Sequence, residues 1–261
     1  MAKQYPLPEA SNSWDGVADW YAGWSGPGGS FYHRKVVLPT AVELLQCDAG
    51  QRIVDLGCGP GALARWVAGE YVGVDLSRKL IRIARKHNTS PRARFLVGDV
   101  TQAGLLEALG EQGFDGAVFL LSLQDIHPLT GALVNAAKLL RPGGRLVAVM
   151  MHPCFRIPRQ SGWGWDGERK LRYRRVDHYL SPLSVPMQRY RKGKGATRSF
   201  HRPLSDYING LSQVGLLVDA LREIPVLETV AKGTPPSRAD RRTWKEIPLF
   251  MALRAVKQAV V

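Results

Sequence analysis

The chain has 261 residues, 45% of them hydrophobic, which is enough to bury one large core and short for two full domains. Its formal net charge of +14 favours anionic partners, and no stretch approaches the roughly 18 apolar residues of a membrane span. The three cysteines (47, 58 and 154) lack Cys-x-x-Cys or Cys/His spacing, which excludes a disulfide framework and a structural zinc site, so no metal is expected; residues 1–11 lack a secretory apolar core, and a cytoplasmic location follows as an expectation.

In chain order, an aromatic stripe at Trp14, Trp20, Tyr21 and Trp24 precedes a glycine-rich turn. Short apolar runs then alternate with helical segments, the pattern of βαβ units and a parallel sheet covered on both faces. Strands are predicted near 52–56, 71–76, 94–98, 114–121 and 144–151, and helices near 40–47, 61–69, 77–88, 101–110 and 128–140, with Thr40, Ser77 and Thr101 as first-turn caps. After a long irregular stretch, a helix is expected at 203–215 and strands at 216–224 and 247–256.

The most informative segment is VDLGCGPG at 54–61, where an apolar strand runs into glycines 57, 59 and 61 before a helical pattern. Glycine lets the backbone turn sharply and approach a ligand without an intervening Cβ. Gly57-x-Gly59-x-x-Ala62 also fits a dinucleotide loop, so glycine spacing leaves a nicotinamide-dependent oxidoreductase open. Asp55 would repel a pyrophosphate and attract the sulfonium or ammonium of S-adenosylmethionine, and Pro60 removes a backbone donor that a diphosphate would use. Asp75 ends the next strand, 20 residues after Asp55, where its carboxylate can accept from ribose hydroxyls. Asp99 ends the third strand, placed to accept from an adenine amine, with Val100 beside the ring. A fourth apolar run, FDGAVFLLSL at 114–123, precedes a Pro-Gly-Gly turn at 142–144.

In their order and spacing these segments resemble the class I S-adenosylmethionine-dependent methyltransferases, most closely the small-molecule branch that acts in ubiquinone and menaquinone biosynthesis. The resemblance covers residues 14–153 well and 200–257 adequately, and it includes the segment His152-Pro153-Cys154-Phe155 after strand five. It implies a Rossmann-like α/β fold with a seven-stranded, mostly parallel sheet, the last strand antiparallel, helices on both faces and a lid insertion after strand five. It implies one domain over 1–261, a cofactor-covering segment at 1–40 and a lid at 153–203. S-adenosylmethionine is the implied cofactor and S-adenosylhomocysteine the product, with Tyr21, Asp55, Gly57, Cys58, Gly59, Gly61, Asp75, Leu76, Asp99, Val100 and Leu121 as its contacts. Leu120 departs from the polar residue that several relatives carry.

Residues 156–202 hold 13 Lys/Arg against three acids, interleaved with Trp163, Trp165, Tyr173, Tyr179 and Tyr190. One reading is a cationic lid over a small-molecule acceptor, anionic or aromatic, O- or N-methylated. The alternatives are an RNA methyltransferase or RNA-binding surface, and an ordinary solvated charged face. His127 and His152 follow strands four and five, where ligands of such sheets bind, and are the candidate general bases, with Asp125 as orienter or acceptor ligand and His201 as a further lid candidate. Cys154 as a nucleophile is disfavoured, because no Pro-Cys follows strand four.

Overall fold

A computed structural model describes residues 14–187, 197–226 and 237–259. Its sheet has the order β10-β11-β5-β4-β1-β2-β3. The parallel part comprises β1 (Arg52–Leu56), β2 (Glu70–Asp75), β3 (Ala93–Val97), β4 (Phe114–Leu120) and β5 (Leu140–Met151). The far edge is formed by β10 (Leu216–Pro225) and β11 (Pro248–Lys257), with β11 antiparallel to both its neighbours. All seven lie where the apolar runs predict them. Strand side chains alternate between faces, so Leu146, Ala148 and Met150 of β5 join one core while Val147 and Val149 join the other. Both faces are covered, as a parallel sheet requires.

The flanking helices are α1 (Ala18–Ser25), α2 (Leu38–Leu45), α3 (Arg78–His87), α4 (Gly104–Leu109), α5 (Leu129–Leu139), α6 (Leu204–Gln213) and α7 (Arg238–Glu246). Ser77 caps α3, accepting from Leu80 N–H at 3.1 Å. Thr40 does not cap α2, because a π turn at His33–Val37 already leads into that helix. Thr101 lies three residues before α4 begins and is bound to Asp99. The helix predicted at 61–69 shortens to a 3₁₀ turn, Ala62–Arg65. Too few residues separate the loop from β2, and Gly69 already packs on the Gln51 carbonyl.

The irregular reading of 156–202 is corrected in part. Two antiparallel hairpins occupy it, β6 (Ser161–Asp166) with β7 (Leu171–Val176) and β8 (Leu183–Pro186) with β9 (Arg198–His201). Three arginines among the six residues of β7 hid the strand pattern. Tyr190 and the cations at 189, 191, 192 and 194 lie outside the described residues. Helix α7 was also missed, although Ser237 and Asp240 form its capping box.

One buried polar side chain shapes the site from below. Asn135 of α5 donates through Nδ2 to the carbonyls of Val100 and Gln102, both at 2.9 Å, and so holds the turn after β3. Asn135→Ala leaves these carbonyls without their donor and is expected to cost about 1–3 kcal/mol. Urea unfolding checks this as a lower midpoint with unchanged slope.

Candidate functional site

A cavity of about 670 Å³ opens at the carboxyl ends of β1 to β4. Its floor is the turn after β1. Gly57, Gly59 and Gly61 all have positive φ, at 81°, 54° and 78°. At Gly57 a Cβ would lie 2.6 Å from Ser122 Cβ, so both the conformation and the space demand glycine. The Gly57 and Cys58 N–H groups donate to the Val74 carbonyl at 2.8 and 2.9 Å, which leaves the next N–H for Asp75.

Asp75 Oδ2 accepts from Gly59 N–H at 2.9 Å and Oδ1 from Ser77 N–H at 2.8 Å. Each carboxylate oxygen keeps a further lone pair, and Asp75 borders the cavity. Burial pushes its pKa up to about 6, against the lowering effect of the two backbone donors. Asp99, also on the wall, accepts from Thr101 N–H and Oγ1–H through Oδ1, leaving Oδ2 without a bond in the described residues. Tyr21, Cys58, Leu76, Val100 and Leu121 border the same cavity. The N-terminal segment is tied to the start of α3 by Asp15, whose Oδ1 accepts from Ser77 Oγ–H and from Lys79 N–H.

Other expected residues lie elsewhere. Asp55 is 1% exposed behind the turn, where it accepts from Tyr71 O–H at 2.7 Å and leaves Oδ1 unpartnered. Burial pushes its pKa to about 7. Gly61 packs against Phe95 and does not border the cavity. His152 is 1% exposed and has both ring nitrogens engaged: Nδ1 accepts from Cys154 N–H at 3.2 Å, and Nε2 lies 2.8 Å from Glu223 Oε1. With Nδ1 an acceptor, the proton sits on Nε2 and points to Glu223, so His152 has no lone pair for substrate. His201 contacts the Tyr179 carbonyl through Nε2 at 2.7 Å, and Cys154 Sγ contacts Tyr179 Oη at 3.4 Å, both away from the cavity.

Asp125 and His127 do border the cavity. Burial raises the Asp125 pKa to about 7, partly offset by a hydrogen bond from Ser199 and by Arg202. The His127 ring stacks on Phe200 of β9, centroids 5.0 Å apart, and burial together with Arg202 lowers its pKa, keeping it neutral near pH 7. The wall also includes Ser25, His33, Gln124 and Phe200, which sequence reading missed. No spacing rule singles these out, since chain reversals bring them to the cavity.

The family described as "Methyltransferase domain" matches residues 54–148, which include the glycine turn and the first five strands up to Ala148. A demethylmenaquinone methyltransferase of Tropheryma whipplei is 32% identical over 117 residues, 43% of this chain and 47% of that protein. A ubiquinone biosynthesis O-methyltransferase of Alkalilimnicola ehrlichii is 31% identical over 101 residues, 38% of this chain and 40% of that protein. The chain thus spans about half the length, or less, of these two relatives. The crystal structure of an S-adenosylmethionine-dependent methyltransferase from Mesorhizobium loti superposes with a TM-score of 0.67 at 26% identity, covering 89% of this chain and all of that one. These matches place a methyltransferase domain over residues 54–148 and give the chain the fold of the class I S-adenosylmethionine-dependent methyltransferase superfamily. The dinucleotide alternative falls away with them.

The site suits the cofactor of this superfamily. A Cβ on Gly59 would meet nothing closer than Tyr21 Cε1 at 3.8 Å, so the turn leaves room above it. Asp75 and Asp99 offer acceptors to hydroxyl and amine donors. Protonation of Asp75 below its pKa of about 6 removes an acceptor, so S-adenosylhomocysteine binding weakens as pH falls. Calorimetry is expected to show about tenfold lower affinity at pH 5 than at pH 7. Asp75→Ala is expected to lose about tenfold at pH 7 and to flatten this dependence.

Proposed function

We propose that this chain transfers the methyl group of S-adenosylmethionine to a small-molecule acceptor by in-line displacement. The observation that carries this reading is the shared cavity: the glycine turn and Asp75 form one end, while Asp125, His127 and Phe200 form another part of the same wall. A cofactor and a second reactant can therefore meet out of bulk water.

When bound, the cofactor supplies an electrophilic methyl group on a positively charged sulfur. The chain's own work is alignment. Holding the reactants in attack geometry is worth about 7–11 kcal/mol, more than a general base contributes. The N-terminal cover and Phe200 enclose the cavity, and Leu120 and Leu121 line it with apolar surface. His127, neutral near pH 7, takes the proton released from an O–H or N–H acceptor. Asp125, two residues earlier, orients that group or accepts its hydrogen bond.

The expected outcome with methyl-labelled S-adenosylmethionine and host extract is label in the small-molecule fraction. Label in nuclease-sensitive material would instead make the basic hairpins an RNA-binding surface. His127→Ala is expected to lower incorporation about 100-fold with S-adenosylhomocysteine affinity unchanged, as loss of a general base implies.

A further inference from the structure

The segment between β4 and α5 carries both residues that the methyl-transfer reading uses. Asp125 and His127 border the cavity there, with Gln124 and Ile126 beside them. The segment begins at Leu121 with φ 56°, a left-handed conformation that leucine keeps only where its surroundings hold it. Leu121 N–H donates to the Val149 carbonyl and Ser122 Oγ–H to the Leu56 carbonyl, both at 2.7 Å, which ties the start of the segment to the sheet. Further along, Arg202, the residue after β9, donates to the Ile126 carbonyl through Nη2 at 2.7 Å and to the Leu123 carbonyl through Nη1 at 3.3 Å. One guanidinium thus grips the backbone on both sides of Asp125.

Arg202 also reaches His127. Its guanidinium carbon lies 5.5 Å from the centre of the Phe200 ring, and the His127 ring stacks on the same phenyl with centroids 5.0 Å apart. Arg202 is buried, so its charge acts on its neighbours with little screening. The titratable groups about it are Asp125 and His127 of the segment, His201 of β9, and Asp206 and Tyr207 of α6. The positive charge opposes the burial that raises the Asp125 pKa and adds to the burial that lowers that of His127. Both effects favour a carboxylate beside a neutral imidazole, the pairing that a proton acceptor needs. Burial raises Tyr207 above the ordinary tyrosine value, and His201 contacts the Tyr179 carbonyl away from the cavity, so neither competes for that task.

We propose that Arg202 is a positioning residue for methyl transfer, a buried cation that fixes the backbone on either side of Asp125 and, through Phe200, holds His127 in place as the proton acceptor. The inference rests on the transfer reading above and adds to it the residue that arranges the base. Phe200 and Arg202 come from β9 and its end, so the β8–β9 hairpin is part of the frame of the site, whichever acceptor enters.

The test follows the His127 ring by NMR in protein carrying isotope-labelled histidine, its signal among the six histidines assigned with His127→Gln. The midpoint of its titration is expected to move to higher pH in Arg202→Met. It should stay at the wild-type value in Arg202→Lys, which keeps the charge and loses the two-carbonyl fork. In parallel, incorporation from methyl-labelled S-adenosylmethionine into host extract is followed as a function of pH. Arg202→Met is expected to lose about 100-fold at pH 7 and to recover part of it at higher pH, where Asp125 and His127 again lose their protons. Arg202→Lys should lose about tenfold with an unshifted profile, as displacement of a reacting group implies. Calorimetry with S-adenosylhomocysteine should give the wild-type affinity for both variants, which also shows that they fold. An unmoved His127 titration in folded Arg202→Met, or equal incorporation by all three proteins, overturns the inference and leaves methyl transfer standing. Absence of label with the wild type as well removes the transfer reading, and the titration then decides alone whether Arg202 arranges His127. If Arg202→Met does not fold, the wild type decides: the guanidinium N–H signals of Arg202 should be resolved and slow to exchange, and averaged signals overturn the inference.

Discussion

The carboxylate of Asp75 is the joint on which the rest of the site depends. One oxygen takes the Gly59 N–H from the turn after β1, and the other takes the Ser77 N–H at the start of α3. Ser77 in turn caps α3 and donates to Asp15 of the N-terminal cover. The glycine turn, helix α3 and the N-terminal segment are therefore tied to the end of a single strand by charge-assisted hydrogen bonds, which are stronger than neutral ones. A carboxylate buried this far resists ionisation, and the two backbone donors only partly offset that cost. The joint is thus sensitive to pH in a range where ordinary aspartates are not.

Charge in this protein is divided by location. Among the described residues, Arg156 and Arg174 near the hairpins stack on Trp163, Arg202 satisfies loop carbonyls, and Arg172 and Arg175 pair with Asp240 and Asp177. Burial and the proximity of Arg174 lower the pKa of Arg156 to about 10, the signature of a cation used for packing. Among the described residues the cavity is bordered by three aspartates and the imidazoles of His33 and His127, with the charge of Arg202 acting on Asp125 and His127 from behind the wall.

Paired histidines illustrate how position in the sequence and position in the site diverge. His127 and His152 both follow sheet strands, yet one borders the cavity and the other is locked between Cys154 N–H and Glu223. Asp55 likewise stands where a cofactor acid is expected, but its strand register turns it inward to Tyr71. Strand alternation decides such cases, since a shift of one residue moves a side chain to the opposite face.

The seven sheet strands, their order of appearance, the glycine turn and the acids that end β2 and β3 were legible in the sequence, because strand periodicity and glycine conformational needs are local properties. The 3₁₀ turn at Ala62–Arg65 and the two lid hairpins were not, since connection length overrode helix pattern in one and charged residues masked alternation in the other. The cavity wall away from the glycine turn was legible least. Ser25, His33, Gln124 and Phe200 come from segments far apart in the chain, and only the packed structure brings them to one cavity. By itself the sequence determined the fold and the glycine turn. Tertiary structure decided which histidine borders the cavity and which is locked away from it, because burial and hydrogen-bond partners are properties of the folded chain.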